Sequence, residues 1–156
     1  MNTTISTMLG DAVSLATALG VLVAVFQLWQ SIRLRRTEFE DRIENEYRDL
    51  IRNLPYEVFL AASLDEEMQK NLRDEFYRYF DFCNGQTIQR RRRRIGWRTW
   101  DNWKDGIKDN LAKPSFKKAF EQILKDNSKT FSELQRLVDE DFARDPVGWR
   151  PRSSKS

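Results

Sequence analysis

The sequence predicts an all-α protein: one N-terminal transmembrane helix followed by a small cytoplasmic helical domain of about five helices. Three observations predict it. From Gly10 to Ile32 the chain reads GDAVSLATALGVLVAVFQLWQSI, with no charge between Asp11 and Arg33. Beyond that stretch, apolar residues recur at spacings of three and four, the period of a helix face. No segment of useful length alternates polar and apolar residues as a half-buried strand would.

The 23 residues from Gly10 to Ile32 come first. As a helix they extend roughly 35 Å, enough to cross a hydrocarbon core about 30 Å thick. A buried core helix would need a large domain around it, and the chain beyond Ile32 is small and highly charged. A secretory signal fits poorly, because no Lys or Arg precedes the apolar run. MNTTISTML carries no basic residue, whereas Arg33, Arg35, Arg36 and Arg42 follow the run. The positive-inside rule therefore puts residues 1–9 outside and residues 33–145 in the cytoplasm, with a polar tail at 146–156. Trp29 falls near the inner boundary, where an amphipathic ring anchors at headgroup level. Ala16, Gly20 and Ala24 form a small-residue ridge suited to helix packing in a bilayer, and Gly10, Ser14 and Ala18 form another. Thr4, Thr7, Asp11 and Ser14 share a polar face, with Asp11 either at the outer interface or functional.

No Gly or Pro interrupts the chain between the run and Pro55, so the helix is expected to continue to about Asn53. Phe39, Ile43, Tyr47, Leu50 and Leu54 give it one apolar stripe. Tyr56 to Ala62 reads as a turn or a single apolar helical segment. Ser63 with Glu66 resembles a capping box that opens the next helix. Leu64, Met68, Leu72, Phe76, Tyr79, Phe80 and Cys83 line its core face, and Asn84-Gly85 weakens or ends it. A helix restarts near Thr99 or Trp100, turning Trp100, Trp103, Ile107 and Leu111 inward. Pro114 suits the first turn of another, with Phe116, Phe120, Ile123 and Leu124 as core positions. Thr130 and Glu133 offer a second capping box, opening a last helix with Phe131, Leu134, Leu137, Val138 and Phe142.

Composition narrows the chemistry. The 156 residues contain no His and one Cys, so the commonest metal ligand and neutral-pH base is missing and no internal disulfide can form. There is no glycine-rich phosphate loop, HExxH, CxxC or GxSxG. Nothing supports an enzyme, a metal site or a cofactor.

Charge is uneven. Between Gln86 and Lys118 eleven basic residues face three acidic ones, a local +8 that leaves −5 for the rest of a chain whose net charge is +3. At its head stand Arg90, Arg91, Arg92, Arg93 and Arg94, with Trp97 and Arg98 close behind. Three readings remain open: a solvated face, contact with anionic lipid, or a pocket for a phosphorylated ligand. Guanidinium binds phosphate bidentately, and indole offers a surface on which a base stacks.

Asn45-Glu46-Tyr47-Arg48, Phe76-Tyr77-Arg78-Tyr79-Phe80-Asp81-Phe82-Cys83-Asn84 and Trp100-x-x-Trp103-x-x-Gly106-Ile107, behind an N-terminal span, resemble a broad bacterial group. Its members are small single-span membrane proteins with a cytoplasmic helical domain. Within that architecture the chain is similar to the membrane effectors of type III CRISPR systems. That resemblance rests on packing motifs and assigns no binding residue. It implies an antiviral effector of the bacterial inner membrane, a homo-oligomer with a tetramer favoured. Its cytoplasmic domain would bind cyclic tetra-adenylate, and its spans would perturb the bilayer. The expected ligand is thus a cyclic oligoadenylate or another anionic nucleotide, held by Arg90 to Arg94, Trp97 and Arg98. The alternative is a membrane-tethered module that recruits a protein and has no nucleotide ligand.

Overall fold

The computed structural model describes the backbone of residues 2–60 and 62–150, and side chains from Thr17 to Arg150 apart from Ala18, Arg36 and Ala61. It contains six α-helices in order: α1 (Asn2–Arg52), α2 (Glu66–Asn71), α3 (Arg73–Arg91), α4 (Trp97–Ala112), α5 (Pro114–Asp126) and α6 (Ser132–Asp139). One-turn 3-10 helices lie at Tyr56–Phe59 and Pro146–Gly148. Among the described residues there is no strand, as expected. The chain divides into two units, residues 1–39 and 40–156.

The first unit is the N-terminal part of α1. Ten large apolar side chains from Leu19 to Leu34 are 55–65 % exposed on it, spread around most of the helix. Arg33 lies 5.3 Å over the Trp29 ring. Among the described residues, no helix is long and apolar enough to cross a membrane. The expected span, 10–32, takes in residues 10–16 and Ala18, whose side chains lie outside the described residues, as does that of Asp11.

The second unit is built around α3, which packs against α5, α6 and the Pro146–Gly148 turn, while α4 packs on α5. The expected apolar face of α3 is the core: Phe76, Tyr79, Phe80 and Cys83 are buried, joined by Phe116, Phe120 and Ile123 of α5 and Leu134 and Leu137 of α6. Phe80 and Phe116 sit at the centre of an aromatic cluster, each in contact with several other rings at 5.0–6.4 Å. Edge-on contacts dominate it, as the ring quadrupole favours.

Several local expectations are corrected. α2 begins at Glu66, capped by Asp65, whose Oδ1 accepts from Met68 N at 2.7 Å, so Ser63 is not the cap. Asn84-Gly85 does not end α3, which runs on to Arg91. Asn84 Oδ1 instead accepts from Glu133 N and Leu134 N at 3.0 and 3.1 Å, supplying from another helix the cap that α6 lacks. Thr130 therefore forms no capping box; the residue before α6 is Phe131, in the left-handed region at φ 54°. α4 starts at Trp97, two or three residues earlier than expected, and Trp103 and Leu111 are only half-buried. The folded unit also extends past Asp145, since Pro146 and Trp149 are buried. Of the expected tail, 151–156 lies outside the described residues.

Candidate anion-binding site

The five consecutive arginines separate into two kinds. Arg90 and Arg91 are the last two residues of α3, and both are committed to carboxylates. Arg90 is 8 % exposed. Its Nε donates to Asp145 Oδ1 at 2.9 Å, a second nitrogen reaches Asp145 Oδ2, and a third donates to the Ile95 carbonyl at 2.8 Å. Burial alone raises the Asp145 carboxyl, but hydrogen bonds from Arg90 and Val147 N and the Arg90 charge outweigh it and hold it below its ordinary value. Arg91 donates to Glu133 Oε1 at 2.7 Å. These two side chains fasten the end of α3 to α6 and to the Asp145–Trp149 segment.

Arg92, Arg93 and Arg94 leave the helix and are exposed. Arg93 N donates to Arg90 O at 2.8 Å and Arg94 N to Gln89 O at 3.0 Å, with Arg93 at φ 60°. This is a Schellman closure in which arginine occupies the left-handed position that glycine usually fills. The turn holds the three guanidiniums in water. Among the described residues no carboxylate pairs with Arg92, Arg93, Arg94 or Arg98; Arg94 reaches only Gln89 Oε1, at 3.3 Å.

The start of α4 completes the site. Glu40 of α1 accepts from Gly96 N at 2.9 Å and from Thr99 Oγ1 at 2.7 Å, so a carboxylate already occupies this helix N-terminus. The anion-binding capacity of the turn therefore lies in its side chains. Trp97 is 64 % exposed, with the Arg98 guanidinium 5.3 Å from its ring centroid. Exposed indole beside exposed guanidinium is a surface for stacking a planar ring and clamping an anion. Trp100, by contrast, is buried in the core.

A cavity of about 220 Å³ opens nearby in the same unit, walled by Tyr47, Tyr79, Phe82, Cys83, Trp103 and Ile107, with Glu44, Gln86, Asn102 and Gly106 completing it. Burial pushes the Cys83 thiol up to about 12, so it stays protonated and inert at neutral pH. Burial also raises the Tyr79 and Tyr47 hydroxyls, which remain protonated. Among the described residues no group of His, Cys, Asp or Glu can hold a metal ion. Of the expected packing ridge in the first unit, Gly20 and Ala24 are exposed on α1, and the Ala16 side chain lies outside the described residues.

Sequence reading missed Asp145, Glu133 and Glu40, which sort and position the arginines. Asp145-Pro146 carried the one local signal, an Asp before Pro that bonds the backbone two residues on, here Val147 N at 3.0 Å. Compared with known proteins, the chain matches no family model, and no curated protein or solved structure shows significant similarity to it.

Proposed function

We propose that this protein is a membrane-anchored receptor for an anionic nucleotide messenger, with a cyclic oligoadenylate as first candidate, and that ligand binding perturbs or opens the bilayer holding its assembled spans. One observation carries the reading. Arg92, Arg93 and Arg94 are exposed on the turn that leads into Trp97, Arg98 lies beside the exposed Trp97 ring, and among the described residues no carboxylate neutralises any of the four. An indole exposed beside a guanidinium offers a face on which a planar base stacks.

The anchor rests on the first unit. An apolar helix exposed around most of its surface, with basic residues on only one flank, suits a lipid environment and a bacterial inner-membrane location with the N-terminus outside. Assembly, with a tetramer favoured, would bring arginine turns from neighbouring subunits onto one polyanion. Their mutual repulsion disfavours that arrangement until the ligand removes it, which is how binding would bias the packing of the spans. The antiviral effector role is what the resemblance to type III CRISPR membrane effectors implies, with no catalytic step.

The test is a titration of the full chain in detergent with cyclic tetra-adenylate at several salt concentrations. Log affinity falls with log salt by about 0.7 per neutralised phosphate for single strands, so binding should be strongly salt-dependent. R92A/R93A/R94A should flatten that slope, and Trp97→Ala should cost about 1–3 kcal/mol if a base stacks there. Salt-independent binding, or none to cyclic or linear oligonucleotides, overturns the reading in favour of a tethered protein-recruiting module.

A further inference from the structure

The cavity between α1, α3 and α4 has the shape and chemistry of a single-ring receptor. Its walls are aromatic, contributed by Tyr47, Tyr79, Phe82 and Trp103, and the Tyr47 and Phe82 rings lie 6.0 Å apart. At about 220 Å³ it is smaller than the roughly 300–1,000 Å³ of pockets that take drug-sized molecules, so it suits one ring system. Two observations are not explained by the fold alone. Gln86 is 5 % exposed in this wall, and its Oε1 accepts no hydrogen bond from the described residues. A buried acceptor without a donor is destabilising, and a ligand N–H would satisfy it. Gly106 sits inside α4, where glycine is the poorest residue after proline, yet a Cβ there would meet nothing within 4 Å. Packing does not require this glycine, and its missing side chain keeps the mouth of the cavity open.

The cavity also lies close to the arginine turn along both helices that frame it. At about 1.5 Å per residue, Gln86 is roughly 9 Å along α3 from Arg92, and Asn102 is roughly 6 Å along α4 from Arg98. Along the helix axes, these offsets match the base-to-phosphate reach of one nucleotide.

We propose that this cavity binds a nucleobase, received between the aromatic walls, with Gln86 and the Glu44 carboxylate at its edge accepting from the base's N–H groups. The inference rests on the reading of the turn as a phosphate site, and it assigns base recognition to a place separate from Trp97. Adenine offers two N–H donors on the exocyclic amine and suits these acceptors, whereas a carbonyl edge at the same position would oppose the Gln86 oxygen.

The full chain in detergent is titrated with adenosine and, separately, with ribose 5-phosphate, which carries the charge without a base. Gly106→Leu directs a side chain into open space and should close the cavity; Gly106→Ala should raise the thermal midpoint by about 2–6 °C, showing that the helix tolerates substitution. Adenosine should bind the native chain, and bind Gly106→Leu at least tenfold more weakly. Ribose 5-phosphate should bind Gly106→Leu as it binds the native chain, and R92A/R93A/R94A should weaken it. Adenosine binding that is lost in W97A and kept in Gly106→Leu places the base on the exposed indole and overturns the cavity assignment. No adenosine binding at all overturns it as well. Adenosine binding without any for ribose 5-phosphate leaves the cavity assignment standing and removes the phosphate reading of the turn.

Discussion

Arg90 and Arg93, three residues apart in a run of identical side chains, should shift stability in opposite directions. Arg90→Met keeps the length of the side chain and removes its charge and donors. Asp145, whose side chain is 46 % exposed, can return to water, but the carbonyl of the buried Ile95 loses its partner. An unpaired buried acceptor costs about 1–3 kcal/mol, and loss of the charge-assisted pair brings the total to about 3 kcal/mol. Arg93→Gly relieves a left-handed residue without touching any ion pair, gaining about 1 kcal/mol. In a domain of this size, the first should lower the thermal midpoint by about 12 °C and the second raise it by about 4 °C. Arg92→Ala should stay within about 0.5 kcal/mol, as exposed substitutions do. The assay is thermal denaturation of the full chain in detergent followed by near-ultraviolet circular dichroism, which the buried Trp100 and Trp149 make sensitive to core packing. If Arg93→Gly brings no gain, the Schellman closure is refuted. If Arg90→Met costs no more than Arg92→Ala, the division of the run into structural and free arginines fails.

Three further perturbations test the contacts that hold the site. Glu40→Ala removes the carboxylate capping Gly96 N and Thr99, and should lower urea stability by about 1–2 kcal/mol, the range for a lost N-cap; Glu40→Asp should fail to restore it fully. Asn84→Ala should cost a similar 1–2 kcal/mol, read as faster hydrogen exchange at Glu133 and Leu134 in particular, because their amides lose their acceptor. Acid should weaken the Arg90 contact in a defined direction. Asp145 is held below its ordinary value in the folded chain, so its contribution is present above about pH 3.9 and lost as pH falls through the lower folded value. Asp145→Asn should remove that part of the acid dependence in unfolding titrations.

The helices were legible wherever one face meets the core. The spacing from Phe76 to Cys83 reports burial, and burial decides α3. What failed was punctuation. Asn84-Gly85 reads as a helix end because both residues are poor helix formers, yet α3 packs on α5, α6 and the Pro146–Gly148 turn and Asn84 finds its partners on α6. Ser63 and Thr130 read as caps because each precedes a Glu by three residues. Asp65 lies closer to the first turn of α2, and Glu133 turns inward to Arg91. The arginine run was legible as a basic segment but not as two classes, because the carboxylates that divide it lie 55 and 42 residues away. Nothing local distinguishes Arg90 from Arg93. Helix geometry does, by ending between them.

The first unit should reveal its orientation to a thiol reagent. Twenty-one residues from Ala12 to Ile32 carry no charge, and the large apolar side chains among those described are more than half exposed. Such a surface is costly in water, and the proposed anchor covers it with lipid; packing against other copies of the helix is the competing arrangement. If lipid covers it, basic residues on the C-terminal flank alone fix the orientation. The chain suits a thiol-labelling test unusually well. Its one cysteine, Cys83, is 1 % exposed with a thiol pushed up to about 12, so it adds no background in the folded protein. A membrane-impermeant maleimide added to intact cells should label Thr3→Cys and spare Tyr56→Cys, a position 74 % exposed and therefore reactive once the membrane is permeabilised. Labelling of Tyr56→Cys from outside intact cells would reverse the topology. Recovery of both variants in the soluble fraction would mean that copies of the helix, and not lipid, cover its apolar surface.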